Sequence, residues 1–160
     1  MPGTPGLMHR IGGIEKEDGS GNVSYDSENH ERMVHLRAAK VAGIADDIPE
    51  VVVEGPDDAE LLVLGWGSTW GAIDGAMNRC RARGRRVART HLVHLNPFPR
   101  NLGDILQRYP RVLVPELNLG QLSKLLRADF LVDVHTVSKI QGVPFTAGEL
   151  EAAILKELDQ

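Results

Sequence analysis

The run Glu60-Leu61-Leu62-Val63-Leu64 constrains the fold of this chain more than any other feature, because its consecutive apolar residues leave neither face of a strand for water. Such a strand belongs inside a parallel sheet covered by helices on both sides. The residues that follow supply a cover. Ile73, Ala76, Met77 and Cys80 fall at i, i+3, i+4 and i+7, which puts them on one stripe of a helix, and Gly84 is placed to end it.

The same cycle recurs along the chain. The β-branched run Val51-Val52-Val53 opens the series, and residues 87–95 read as a strand followed by a short helix over 101–109. Val112-Leu113-Val114 reads as the next strand, before a helix carrying Leu119, Leu122, Leu125 and Leu126. Residues 130–137 read as a last strand, and a helix over 146–155 or beyond is opened by Thr146 and Glu149, a reciprocal capping pair. This alternation predicts an α/β fold: an open, mostly parallel sheet with helices on both faces, Rossmann-like in the broad sense. There is no internal repeat.

Ahead of this region, residues 1–27 are rich in glycine and polar side chains and cannot build a core, so they read as an extended arm. Residues 28–49 read as a helix and linker, with Val34, Ala38, Val41 and Ala45 on one stripe, and residues 50–160 as the α/β domain. At 160 residues and 42% hydrophobic, one core is affordable without external staples.

Composition excludes several classes of function. A net charge of -4 offers no general field for nucleic acid. The single cysteine, Cys80, rules out an intrachain disulfide framework and any four-cysteine iron–sulfur cluster held by this chain alone, and it suits a reducing cytoplasm. No apolar run reaches the roughly 18 residues of a membrane span. A metal site is not expected either: His91 and His94, three apart on one strand, would point to opposite faces, and His30 and His35 to different faces of a helix.

Ligands of such sheets collect where strands end and helices begin. Two turns fit that description. In Gly65-Trp66-Gly67-Ser68-Thr69 a buried strand becomes a helix, and Gly65, Gly67, Ser68 and Thr69 are candidates for contact with a ligand or a neighbouring chain; a plain tight turn capped by Ser68 or Thr69 is the alternative. After the Val112 strand, Glu116 and Asn118 are the candidates, although Asn118 and Gln121 also have the spacing of a capping pair. Arg79, Arg81, Arg83, Arg85, Arg86 and Arg89 form a basic cluster that reads as a solvated face or, more sharply, as an anion site. Cys80 lies on its helix's apolar stripe and reads as a buried thiol rather than a nucleophile.

Taken together, several segments resemble the C-terminal part of the α subunit in the 2-oxoacid:acceptor oxidoreductase family, specifically bacterial 2-oxoglutarate:ferredoxin oxidoreductase. They are Pro2-Gly3-Thr4-Pro5-Gly6-Leu7, His9-Arg10-Ile11-Gly12-Gly13, Gly21-Asn22-Val23-Ser24-Tyr25-Asp26, Leu64-Gly65-Trp66-Gly67-Ser68-Thr69, His94-Leu95-Asn96-Pro97-Phe98-Pro99, and Val114-Pro115-Glu116-Leu117-Asn118-Leu119-Gly120-Gln121-Leu122. Nearly the whole chain takes part. The resemblance implies a transketolase C-terminal-like domain from about residue 50, preceded by the tail of a thiamine-pyrimidine-type domain. Many members carry Gly-Leu-Glu-His where this chain has Gly13-Ile14-Glu15-Lys16.

By the same resemblance, the complete complex decarboxylates 2-oxoglutarate oxidatively to succinyl-CoA and reduces ferredoxin. Thiamine diphosphate, an iron–sulfur cluster and coenzyme A belong to that complex, with none bound by this chain alone, which is expected to be inactive by itself. A β subunit and a second α subunit are the implied partners, with ferredoxin reached through the complex. The competing expectation is a free-standing domain that binds a small molecule or anion through residues 65–69 and the arginine cluster.

Overall fold

The computed structural model describes residues 3–8 and 12–160. Pro2 and residues 9–11 of the segments quoted above lie outside them. The chain forms two compact units, Met1–Asp47 and Ile48–Gln160.

In the first unit, Asp26 caps helix α1 (Ser27–Gly43) by accepting the Asn29 amide at 3.0 Å. The preceding residues fold back on that helix: Lys16 and Val23 form an isolated antiparallel bridge, and the Asn29 side chain donates to the Lys16 carbonyl. Glu15 is pinned between His30 at 2.5 Å and Arg37 at 3.0 Å, and these two hydrogen-bonded partners hold its carboxyl below the usual carboxylate range, Arg37 first. The helix buries none of its own residues; of the apolar stripe, only Ala45, in the 3-10 turn Ile44–Asp46, is buried.

The second unit holds a five-stranded sheet in the order β1-β3-β2-β4-β5: β1 (Val53–Glu54), β2 (Leu61–Trp66), β3 (Val87–Leu92), β4 (Val112–Glu116) and β5 (Val134–Ser138). Only β1 runs antiparallel to its neighbour. The central run behaves as its composition requires. Leu62 and Leu64 face the cluster that includes Leu102, Leu106, Leu122 and Leu126, from helices α3 (Leu102–Arg108) and α4 (Gln121–Phe130). Leu61 and Val63 face Ile73, Met77, Leu150 and Ile154, from α2 (Trp70–Ala82) and α5 (Ala147–Leu158). Each such side chain contributes about 1.5–3 kcal/mol by leaving water.

Four boundaries differ from the sequence expectation, each for a local reason. The strand over 51–53 shrinks to Val53–Glu54, because the Asn101 side chain takes both the amide and the carbonyl of Val51, each at 2.9 Å. The strand over 87–95 stops at Leu92, ahead of Pro97 and Pro99, which have no N–H for a ladder. Leu119 precedes α4 instead of lying on it, since Gly120 takes a left-handed conformation. Phe130 ends α4 and does not begin a strand; Leu131 reverses the chain at φ 53, and β5 starts at Val134. The Thr146 cap forms as expected, with Glu149 accepting the Thr146 amide at 2.7 Å. No helix among the described residues is long and apolar enough to cross a membrane.

Candidate functional site

Strand β2 continues through α2 to β3 on one side, whereas β4 and β5 extend the sheet on the other. The strand order therefore reverses between β2 and β4, and it is at their carboxyl ends that an open sheet of this kind leaves a crevice. A hollow of about 160 Å³ lies there, lined by Trp66, Gly67, Ser68, Thr69, Leu117 and Asn118.

The structure thus brings Gly67, Ser68, Thr69 and Asn118 together from two separate turns, and leaves Gly65 and Glu116 behind them. Gly67 sits at φ +57, where a side chain is strained although nothing would obstruct it. Ser68 is exposed, while Thr69 is buried with its hydroxyl tied to the Trp66 amide at 3.2 Å and carbonyl at 2.8 Å. Asn118 accepts the Gln121 amide at 2.9 Å. Glu116 has no exposed surface; its carboxylate accepts the amides of Leu122 (2.9 Å) and Ser123 (3.0 Å) and the Ser123 hydroxyl (2.7 Å). It anchors the start of α4, where a negative charge suits the helix dipole.

Gly65 is required for space. A Cβ there would lie 2.5 Å from Ile73 Cδ1 and 2.8 Å from His91 Nδ1. His91, which stands in register with Gly65 on β3, is a residue that sequence reasoning weighed only for a metal site, and set aside there. Its pKa is lowered chiefly by burial, against a hydrogen bond to the Gly67 backbone and with help from the Arg89 charge. His94 lies beyond β3, and the two histidines share one groove instead of taking opposite faces of a strand. Among the described residues no three metal-binding side chains converge.

The basic cluster is committed within the chain. Arg79 and Arg83 pair with Glu151, Arg85 with Asp159, Arg86 with Asp58, and Arg89 with Glu54 and Asp74, while Arg81 donates to the Glu54 carbonyl. That pattern serves α2, α5 and the edge strand, and removes the arginines from the anion reading. Cys80 is fully buried, and burial pushes its thiol pKa up.

Exposed apolar side chains are not spread evenly over this unit. Trp70, Val93, Leu117, Leu119, Ile140 and Val143 all follow the carboxyl ends of parallel strands, and Val52 joins them because β1 runs the other way. Elsewhere in the unit only Leu125 and Leu131 are large, apolar and exposed among the described residues. The hollow therefore shares its edge of the sheet with exposed apolar loops, a composition found at protein contact faces.

No family model matches the chain. It is 56% identical over 151 residues to 2-oxoglutarate oxidoreductase subunit KorA of Mycobacterium tuberculosis, a match covering 94% of this chain and 23% of that protein. It is 35% identical over 119 residues to the α subunit of 2-oxoacid:ferredoxin oxidoreductase 1 of Aeropyrum pernix, covering 70% of this chain and 19% of that one. Among solved structures it is similar to the 2-oxoglutarate:ferredoxin oxidoreductase of Magnetococcus marinus, solved with 2-oxoglutarate, coenzyme A and succinyl-CoA bound. There the TM-score is 0.87 at 31% identity, over 98% of this chain and 28% of that one. A split-gene transketolase, at TM-score 0.54 and 20% identity over 69% of this chain and 41% of that one, shares the fold alone. The chain spans about a quarter of the length of the Mycobacterium tuberculosis subunit and of the Magnetococcus marinus chain. It belongs to the 2-oxoacid:ferredoxin oxidoreductase family, in which it corresponds to the C-terminal part of the α subunit.

Proposed function

We propose that this chain acts as the C-terminal part of a 2-oxoglutarate:ferredoxin oxidoreductase α subunit, in a complex that converts 2-oxoglutarate and coenzyme A to succinyl-CoA and carbon dioxide. The electron pair left by the departing carbon dioxide passes to ferredoxin. The observation that carries this reading is the 56% identity across 94% of the chain to the Mycobacterium tuberculosis subunit.

The residues present fit a supporting role. One buried cysteine cannot by itself hold an iron–sulfur cluster, which supports the reading that the clusters of such a complex lie in other polypeptide; the thiamine diphosphate is assigned to a β subunit by the family resemblance. The hollow of about 160 Å³ is smaller than the roughly 300–1,000 Å³ of pockets that enclose a small-molecule ligand. It is sized for a single side chain, and with its apolar surround it suits a contact with a β subunit or a second α subunit in the cytoplasm. The candidate residues Gly65, Gly67, Ser68, Thr69, Glu116 and Asn118 then shape a docking face, Gly65 and Glu116 from behind it.

The test is co-purification with the β subunit of the Mycobacterium tuberculosis enzyme, followed by an assay with 2-oxoglutarate, coenzyme A and an artificial electron acceptor. The chain alone is expected to give no turnover and to bind the β subunit, with Leu119→Asp weakening that binding at least tenfold and Leu125→Asp, on the outer face of α4, leaving it unchanged. Turnover by the isolated chain, or loss of binding in Leu125→Asp alone, would overturn the reading.

A further inference from the structure

The side-chain groups left free around the hollow are donors. Trp66, which lines it, has its indole Nε1–H shut off from water and without a hydrogen-bond partner. Asn118 gives its Oδ1 to the Gln121 amide, so the NH2 end of the same carboxamide is left to the space that Asn118 lines. The exposed Ser68 hydroxyl can turn to donate. The other hydroxyl of the lining, on Thr69, is spent on the Trp66 amide and carbonyl.

We propose that the hollow receives a carboxylate, the side chain of an aspartate or glutamate on the docked β subunit, held by Trp66 Nε1, Asn118 Nδ2 and Ser68 Oγ. This rests on the reading of the hollow as a docking face and names the group that enters it.

Hydrogen bonding, charge and size agree on that group. A carboxylate accepts through both oxygens and donates through neither, which matches a lining of donors, and a bond to an ionised acceptor is about twice as strong as one between neutral groups. The 3-10 turn Gly67–Thr69 runs on into α2, and neither has an acidic residue in its first turn. In the same unit α3 carries Asp104 there and α5 carries Glu149, while the amides that open α4 are served by Glu116. Among the described residues of this unit, α2 is thus the helix whose positive end has no carboxylate of its own. Glu116, in the wall behind the hollow, already accepts three donors and has no exposed surface, so it does not answer the indole. About 160 Å³ admits one acidic side chain, and the Trp66 ring and Leu117 are apolar walls for its methylene stem.

The experiment measures binding of the full chain to the β subunit of the Mycobacterium tuberculosis enzyme. Asn118→Ser keeps an oxygen for the Gln121 amide and loses the carboxamide donor; Asn118→Asp keeps that oxygen and sets a second, negative one where the NH2 stood. Binding at neutral pH should weaken about fivefold in Asn118→Ser and about a hundredfold in Asn118→Asp, with the melting temperature of neither chain lowered. In the chain alone, acetate should move the NMR signals of the Trp66 indole N–H and the Asn118 carboxamide, whereas acetamide and methylammonium at equal concentration should not. Equal binding by the unaltered chain and Asn118→Asp would overturn the proposal and leave the docking reading standing. So would signals that answer acetamide as they answer acetate, or that answer neither. A β subunit that does not bind the unaltered chain would instead overturn the docking reading itself, and with it the β subunit as the source of the carboxylate.

Discussion

Glu116 closes β4 with a charge that water cannot reach, and the fold supplies three donors in place of water. Removing the carboxylate orphans two amides at the start of α4. Glu116→Ala is expected to cost about 2–4 kcal/mol and Glu116→Gln, which keeps one acceptor, about 1–2 kcal/mol, both read from urea unfolding. Leu131 presents the opposite situation. It holds a left-handed φ of 53 while 90% exposed, so its side chain contributes no packing in return for the strain. Leu131→Gly should raise stability by about 0.5–1 kcal/mol in the same measurement. Gly65→Ala should lower it by about 1–3 kcal/mol, because Ile73 and His91 occupy the space its methyl needs.

Helix α5 begins with a device that reports on acid. Lys139 first, then the amide and hydroxyl of Thr146, draw the Glu149 pKa down from 4.5 to about 2. A carboxylate held that low stabilises the fold fully above pH 4.5, and the contribution disappears as pH falls toward 2. Glu149→Gln should therefore flatten the acid limb of a stability-against-pH curve in that window and leave its slope near neutrality unchanged. This cap was legible in the sequence, as was the buried stripe of α2, because both depend on neighbours within a turn or two. The short β1 was not, since the amide of Val51 is claimed by Asn101, fifty positions along the chain. Nor was the end of α4, which reverses at a leucine where glycine would have marked the stop. The two turns of the hollow could each be singled out from residue type. Their meeting could not, because it depends on β4 pairing with β2, and the place of His91 beneath one of them depends on the β2–β3 register.

Both hydrophobic clusters are drawn wholly from Ile48–Gln160. That span, produced alone, should unfold in one cooperative thermal transition followed by far-UV circular dichroism; a broad, non-cooperative melt would show that a core needs residues before it. The surface of this span is polarised, with apolar loops gathered at the carboxyl edge, so the unit has one edge suited to burial and helical flanks suited to water. The sheet beneath that face is unevenly laced. β2 pairs with β3 from Leu61↔Val87 to Trp66↔Leu92, and β4 with β5 from Val112↔Val134 to Glu116↔Ser138, but β2 and β4 share only Leu62↔Val112 and Val63↔Leu113, near their amino ends. Towards the carboxyl edge the two strand pairs are joined by side chains instead of backbone rungs, with Leu64 and Val114 packed in the same buried cluster. The hollow thus opens where this seam depends on packing alone, so its shape is set by the side chains beneath it and not by a hydrogen-bonded ladder.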